Sequence, residues 1–198
     1  MTPKQRIIKF IYPLLRSYSA STLVSNGIRA NVNEAVPDQV FYSLQGVLSN
    51  GTQFDFSALI KKKVILVNVA SDCGYTPQYT ELQQLQELYE DRLVVLGFPA
   101  NDFKGQEPGT DKEIEAFCQK NYAITFPMFQ KHSVLKPGQN SIFKWLSSKE
   151  LNGWNDQQPV WNFCKYLVGD DGKLQYYFPP SVSPLSKGML SAIDIPLR

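Results

Sequence analysis

Three cysteines and one histidine carry most of the reactive side-chain chemistry in this 198-residue chain: Cys73, Cys118, Cys164 and His132. The cysteine count is odd and contains no CxxC pair, so neither a disulfide framework nor a zinc site is indicated. A single histidine argues against a His-ligated metal centre and restricts every triad that needs a histidine base. Thiol chemistry needs neither. Cys73 is the best placed of the three, in Ser71-Asp72-Cys73-Gly74-Tyr75-Thr76-Pro77, just after an apolar run and just before a helical pattern. A helix N-terminus presents unpaired N–H groups and partial positive charge, which favour the thiolate, the attacking form of a thiol. Gly74 lets the backbone turn closely around the sulfur. The plainer reading is a small buried cysteine at a strand end.

The elements around Cys73 follow from periodicity. Val64 to Ala70 is a continuous apolar run, as expected of a central strand buried on both faces. The spacing of Leu82, Leu85 and Leu88 predicts a helix over about 77–91, with Thr76 as its cap and Pro77 in its first turn. Leu93 to Phe98 is the next apolar strand, which completes a βαβ unit. Thr110 and Glu113 form a capping box that opens a helix through Ile114, Phe117 and Cys118. A weaker strand is expected near Met128 and a helix over 141–148. Two hairpins are expected: 40–56 around Asn50-Gly51, with Val40-Phe41-Tyr42 as its first strand, and 161–178 around Asp170-Asp171-Gly172. A last helix follows Pro184. Strands alternating with helices indicate an α/β fold with a mixed central sheet flanked by helices.

The charge is unevenly spread. Residues 1–33 hold Lys4, Arg6, Lys9, Arg16 and Arg29 and no acid, although the net charge of the chain is only +2. A balance that small gives no general case for nucleic-acid binding. No stretch approaches the length of apolar sequence that a membrane span needs. Residues 3–18 read as a short helix with Ile7, Leu14 and Leu15 on one face, interrupted by Pro13. Three readings stay open for it: a helix packed on the domain or fraying from it, a basic amphipathic helix lying on a membrane surface, and an export signal. Residues 1–39 are thus a basic amphipathic helix and linker, and residues 40–198 form the domain.

Four separated stretches resemble the glutathione peroxidase family: Asn68 to Thr76, Gly97 to Gly109, Phe126-Pro127 and Trp161-Asn162-Phe163. Their order and spacing match over roughly residues 40–190. The resemblance implies a thioredoxin-like fold with an N-terminal β-hairpin, and reduction of hydrogen peroxide or organic hydroperoxides. It makes Cys73 the peroxidatic residue, whose thiolate attacks the O–O bond and becomes a sulfenic acid. It gives Trp161 and Asn162 the role of hydrogen-bond donors to the thiolate or the leaving oxygen. Taken alone, Trp161 is equally a hairpin core aromatic and Asn162 a turn amide. It makes Cys118 the resolving thiol of the thioredoxin-dependent members, which leaves a Cys73–Cys118 disulfide for thioredoxin. Taken alone, Cys118 is a buried helix cysteine. It lies 45 residues from Cys73, on a helix, so the bond requires local unwinding.

The chain departs from the family at Asp102, where members usually carry Gln. An ionised Asp only accepts hydrogen bonds. Asp102 is therefore protonated, turned away, or a proton shuttle for the leaving hydroxide; equally, it caps a turn beside Asn101. Ala100 stands where some relatives have a further cysteine. Cys164 and His132 are expected to have no redox role, and Gln106-Glu107-Pro108-Gly109 to shape a loop. The subunit-contact loop of tetrameric relatives is missing between His132 and Trp161, which implies a monomer with an open site. The expected partners are a peroxide substrate and thioredoxin, with no cofactor. The expected location is the cytoplasm, with membrane contact through residues 3–18 and export as alternatives. Two other functions stay open: a glutathione-dependent peroxidase, and a redox relay with weak turnover.

Overall fold

The computed structural model describes residues 27–194. The helix expected over residues 3–18 lies outside them. The described chain builds on β4 (Lys63–Val69), which is buried at every position. Around it a five-stranded sheet runs in the order β1-β7-β6-β4-β5. The strands are β1 (Arg29–Ala30), β5 (Leu93–Pro99), β6 (Lys165–Val168) and β7 (Leu174–Phe178). β4 and β5 are parallel, in register Lys63 to Leu93, and joined through α1 (Gln78–Leu88). β6 and β7 are antiparallel neighbours, so the sheet is mixed. A small second sheet pairs β2 (Gln45–Val47) with β3 (Gln53–Asp55).

Two cores sit on opposite faces of the sheet, because side chains of successive strand residues alternate. One face is covered by α1, α2 (Asp111–Tyr122) and α5 (Lys187–Asp194). The other is covered by α3 (Ser141–Leu146) and the β2–β3 hairpin, with the short helix α4 (Lys149–Asn152) following α3. The second core is rich in rings: Phe98 stacks on Phe129 at 4.3 Å, and Phe41, Phe56 and Trp145 meet at 5.4 to 5.5 Å. Such pairs contribute roughly 1 kcal/mol each beyond their burial.

Several local expectations differ from the structure. Phe41–Ser43 is a turn of 3-10 helix, and the first hairpin strand is β2 instead. The Asn50-Gly51 turn is kept, with Gly51 at φ +86° and the Asn50 side chain accepting from Thr52 N at 2.9 Å. The segment near Met128 makes only single bridges, Gly97 to Met128 and Leu48 to Phe129. Gly97 allows the first, since a Cβ there would run into the Met128 sulfur. Residues 28–31 belong to the domain rather than to a linker. Ile28 is buried, and Arg29 and Ala30 pair with Tyr177 and Tyr176. The strand of the second hairpin begins at Lys165, so Trp161 to Cys164 form an approach loop. The fully buried Lys165 donates from Nζ to the Val182 carbonyl at 2.6 Å and the Pro180 carbonyl at 3.3 Å, tying the segment before α5 to the sheet.

Candidate active site

β4 ends at Val69, and the chain crosses Ser71 to Pro77 before α1 begins at Gln78. Cys73 sits in that crossing, half-buried, with a free thiol. The expected helix cap at Thr76 is a different device. The α1 N-cap is Pro77, which has no side-chain bond. The buried Thr76 hydroxyl instead accepts from Cys73 N at 3.0 Å and donates to the Ala70 carbonyl at 2.9 Å. One side chain thus closes the thiol loop onto the end of β4. The Tyr75 amide N–H points at Cys73 Sγ, 3.4 Å away. An amide N–H so aimed is a hydrogen-bond donor to the sulfur.

Trp161 and Asn162 are held by a residue on β4. Asn68 is fully buried in the otherwise apolar strand. Its Nδ2 donates to the Trp161 carbonyl at 3.0 Å, and its Oδ1 accepts from Cys164 N at 3.0 Å. Between these bonds Phe163 takes φ +64°, a left-handed conformation that costs a non-glycine residue roughly 1 kcal/mol. Phe163 is fully buried and meets Tyr79 of α1 edge-on at 5.3 Å, which offsets that strain. The turn leaves Trp161 half-exposed, with Phe103 at 5.6 Å from its ring and the Lys104 ammonium over its face at 5.6 Å. Asn162 is fully buried; Nδ2 donates to Gln106 Oε1 at 2.9 Å, and its Oδ1 has no partner. Gln106 returns the chain to the thiol, because its carbonyl accepts from Asp72 N at 3.0 Å.

Of the readings open for Asp102, the side chain takes the one directed away from the thiol loop, so the structure does not support a catalytic part for it. One carboxylate oxygen accepts from Ser133 Oγ and the other from Val134 N, both at 2.8 Å. It organises the 133–135 loop because its two oxygens satisfy two donors there. The carboxylate that faces the thiol loop is Glu107, which is 1% exposed and accepts from Ser71 Oγ at 3.0 Å. Burial pushes it up to about 6, against the opposing hydrogen bonds from Ser71.

Cys118 lies on α2 and points into the same core against which Cys73 packs. Both thiols are free. Burial pushes Cys118 up to about 11, the nearby Tyr79 hydroxyl works against this, and the charges of Glu107 and Glu115 add to it. A cavity of about 220 Å³ opens beside it, lined by Leu48, Gln119, Ile124 and Met128 among others. Cys164 belongs to the opposite core, with its sulfur 3.4 Å from the Tyr177 hydroxyl. His132 is exposed. Among the described residues no group of three or more His, Cys, Asp or Glu side chains is gathered to hold a metal ion.

From the sequence, Thr76 is expected only as a helix cap, Glu107 only as part of a loop-shaping stretch, and Asn68 is given no part at the thiol site. Asn68 had a signal in the sequence, as a polar residue inside a seven-residue buried strand. Glu107 had none beyond its place in the matched stretches.

A thiol at the carboxyl edge of the central strand, followed at once by a helix, places the domain among thioredoxin-like thiol proteins. Solved structures agree on the fold. The thioredoxin-family thiol:disulfide interchange protein of Chlorobium tepidum superposes with a TM-score of 0.56 at 17% identity, covering 81% of this chain and 94% of that one. The crystal structure of Trgpx in apo form superposes at 0.61 with 31% identity, covering 80% of this chain and 98% of that one. The glutathione peroxidase family model matches residues 41–147. Glutathione peroxidase-like peroxiredoxin 2 of Saccharomyces cerevisiae is 42% identical over 147 residues, which is 74% of this chain and 91% of the relative. Glutathione peroxidase-like peroxiredoxin GPX5 of Chlamydomonas reinhardtii is 43% identical over 147 residues, 74% of this chain and 90% of the relative. The chain belongs to the glutathione peroxidase family.

Proposed function

We propose that the protein is a thiol peroxidase that reduces hydrogen peroxide and organic or lipid hydroperoxides and is recycled by thioredoxin. The observation that carries this reading is the half-buried Cys73 thiol with the Tyr75 N–H aimed at its sulfur, in a chain of this family. The Cys73 thiolate attacks one peroxide oxygen, the O–O bond breaks, and sulfur is oxidised to S–OH. The other oxygen leaves as alcohol or water after taking a proton. Trp161 and Asn162 act as donors to the sulfur and the leaving oxygen. The indole N–H makes no bond to protein among the described residues, and one Asn162 N–H is left after Gln106 is served.

Cys118 then attacks the Cys73 sulfenic acid and releases water. The resulting disulfide is the substrate of thioredoxin. Both thiols face one core, which supports the pairing over any role for Cys164. Peroxide-dependent NADPH oxidation with thioredoxin and thioredoxin reductase tests this. Turnover in the wild type and its loss in Cys118→Ser are expected. Turnover kept in Cys118→Ser, or supported by glutathione alone, overturns the thioredoxin reading. The domain is expected to act as a monomer in the cytoplasm, with residues 3–18 touching anionic membranes. Sedimentation tests the first part, and the second requires that deleting residues 2–18 abolish liposome binding at low salt.

A further inference from the structure

We propose that Glu107 carries the proton of the disulfide-forming step, taking it from the Cys118 thiol and delivering it to the oxygen that leaves Cys73. This rests on the peroxidase reading above and adds a residue to it. Glu107 lies between β5 and α2, three residues before the α2 cap at Thr110. Its carboxylate is buried and accepts from Ser71, two residues before the peroxidatic thiol. The Asp72–Gln106 backbone bond holds the two loops side by side. The remaining bonds fix Glu107 from outside α2. Its N–H donates to Asn101 Oδ1 at 2.9 Å, and its carbonyl and those of Pro108 and Gly109 accept from Lys131 Nζ. When α2 opens to bring Cys118 toward Cys73, Glu107 stays beside the thiol loop.

The groups around the carboxylate suit it to this task. Ser71 of the thiol loop donates to it, the Lys131 ammonium from the segment after Phe129 acts on it through charge, and its own charge reaches α1 and α2. The Glu107 charge is felt by both Tyr79 and Cys118. Lys131 is occupied by the three carbonyls, and among the described residues no cation stands within ion-pair distance of the carboxylate. Cys118 in its buried setting is almost wholly protonated at neutral pH, so its attack needs a base. A carboxyl poised near 6 serves as base and then as acid. The step balances as Cys73–S–OH plus Cys118–SH giving the disulfide and water. The S–O bond breaks and the S–S bond forms. Cys118 sulfur is oxidised, Cys73 sulfur is reduced, and Glu107 ends in the state in which it began.

Single-turnover stopped flow on the full reduced chain separates the steps. One readout is loss of the Cys73 thiol with hydrogen peroxide, and the other is formation of the Cys73–Cys118 disulfide, followed by quenched alkylation and mass spectrometry. In Glu107→Gln the first rate is expected within about threefold of wild type, and the second slowed by roughly a hundredfold, with loss of its acid limb near 6. Glu107→Asp is expected to restore part of the second rate. Ser71→Ala removes a bond that holds the carboxyl down, so the acid limb moves to higher pH. An acid limb that stays in place in both Glu107→Gln and Ser71→Ala overturns the relay, as does equal slowing of both steps in Glu107→Gln. A wild type that oxidises Cys73 but forms no Cys73–Cys118 disulfide overturns the peroxidase reading itself, and the relay with it. A normal wild-type disulfide with an unaffected Glu107→Gln overturns the relay alone.

Discussion

The two buried thiols, Cys118 and Cys164, occupy opposite faces of one sheet. Burial pushes both toward the protonated form, so acidity does not separate them. Surroundings do. Cys118 shares a core with Cys73, lies beside a cavity and rides on a helix whose start is an exposed capping box. Cys164 is pinned by its own N–H to Asn68 and by its sulfur to Tyr177, in the core packed with rings. A helix next to empty space opens at lower cost than a loop anchored in a filled core. On the proposed mechanism, the resolving thiol is the one that shares a face with Cys73 and rides on the element that opens more freely.

The sharpest way to break that comparison is to delete the thiols one at a time. Cys73→Ser is expected to abolish peroxide consumption, Cys118→Ser to abolish thioredoxin-supported turnover while leaving one round of Cys73 oxidation, and Cys164→Ser to leave turnover within about twofold. Coupled NADPH oxidation measures all three. If Cys164→Ser, rather than Cys118→Ser, stopped turnover, the two-face argument would fall.

Next in size is Asn68→Ala. It strands the Trp161 carbonyl and the Cys164 N–H and leaves the left-handed Phe163 unsupported. Unfolding in urea should show a loss of about 3 kcal/mol, with turnover reduced because Trp161 and Asn162 lose their anchor.

Glu107→Gln should be more stable than wild type at neutral pH by about 2 kcal/mol. The carboxyl is raised in the fold, from its ordinary 4.5 to about 6. Between those values the folded state binds more protons, so wild-type stability falls as pH rises through the window. The variant should lack this slope, which chemical unfolding at a series of pH values reads directly. A slope that persists in Glu107→Gln would assign the titration to another group.

The smallest effect belongs to Asp102→Asn. The amide keeps an acceptor for either Ser133 or Val134, so a loss of about 1 kcal/mol or less is expected with turnover unchanged. A large fall in turnover without loss of stability would return Asp102 to the chemistry.

Much of the fold was legible in order. β4, β5, α1, α2 and their βαβ arrangement followed from apolar runs and helical spacing, because these elements bury large contiguous surfaces. The capping box at Thr110 was read correctly because its two bonds are local. Errors came where long-range contacts overrode local pattern. Val40-Phe41-Tyr42 looked like a strand, yet Phe41 is drawn into the ring cluster as a single turn. Arg29-Ala30 carried no strand signal, and the open edge of β7 recruited it.

The residue types and spacing by themselves determined a thiol at a strand-to-helix crossing and the matched stretches around it. Those are properties of neighbouring positions in the chain. Only the tertiary structure decided where the carboxylates go. Asp102 and Glu107 stand five positions apart on one loop. The loop's path turns the first toward Ser133 and Val134 and buries the second against Ser71. Direction and burial of a side chain depend on what packs around it, and that packing is assembled from residues distant in sequence.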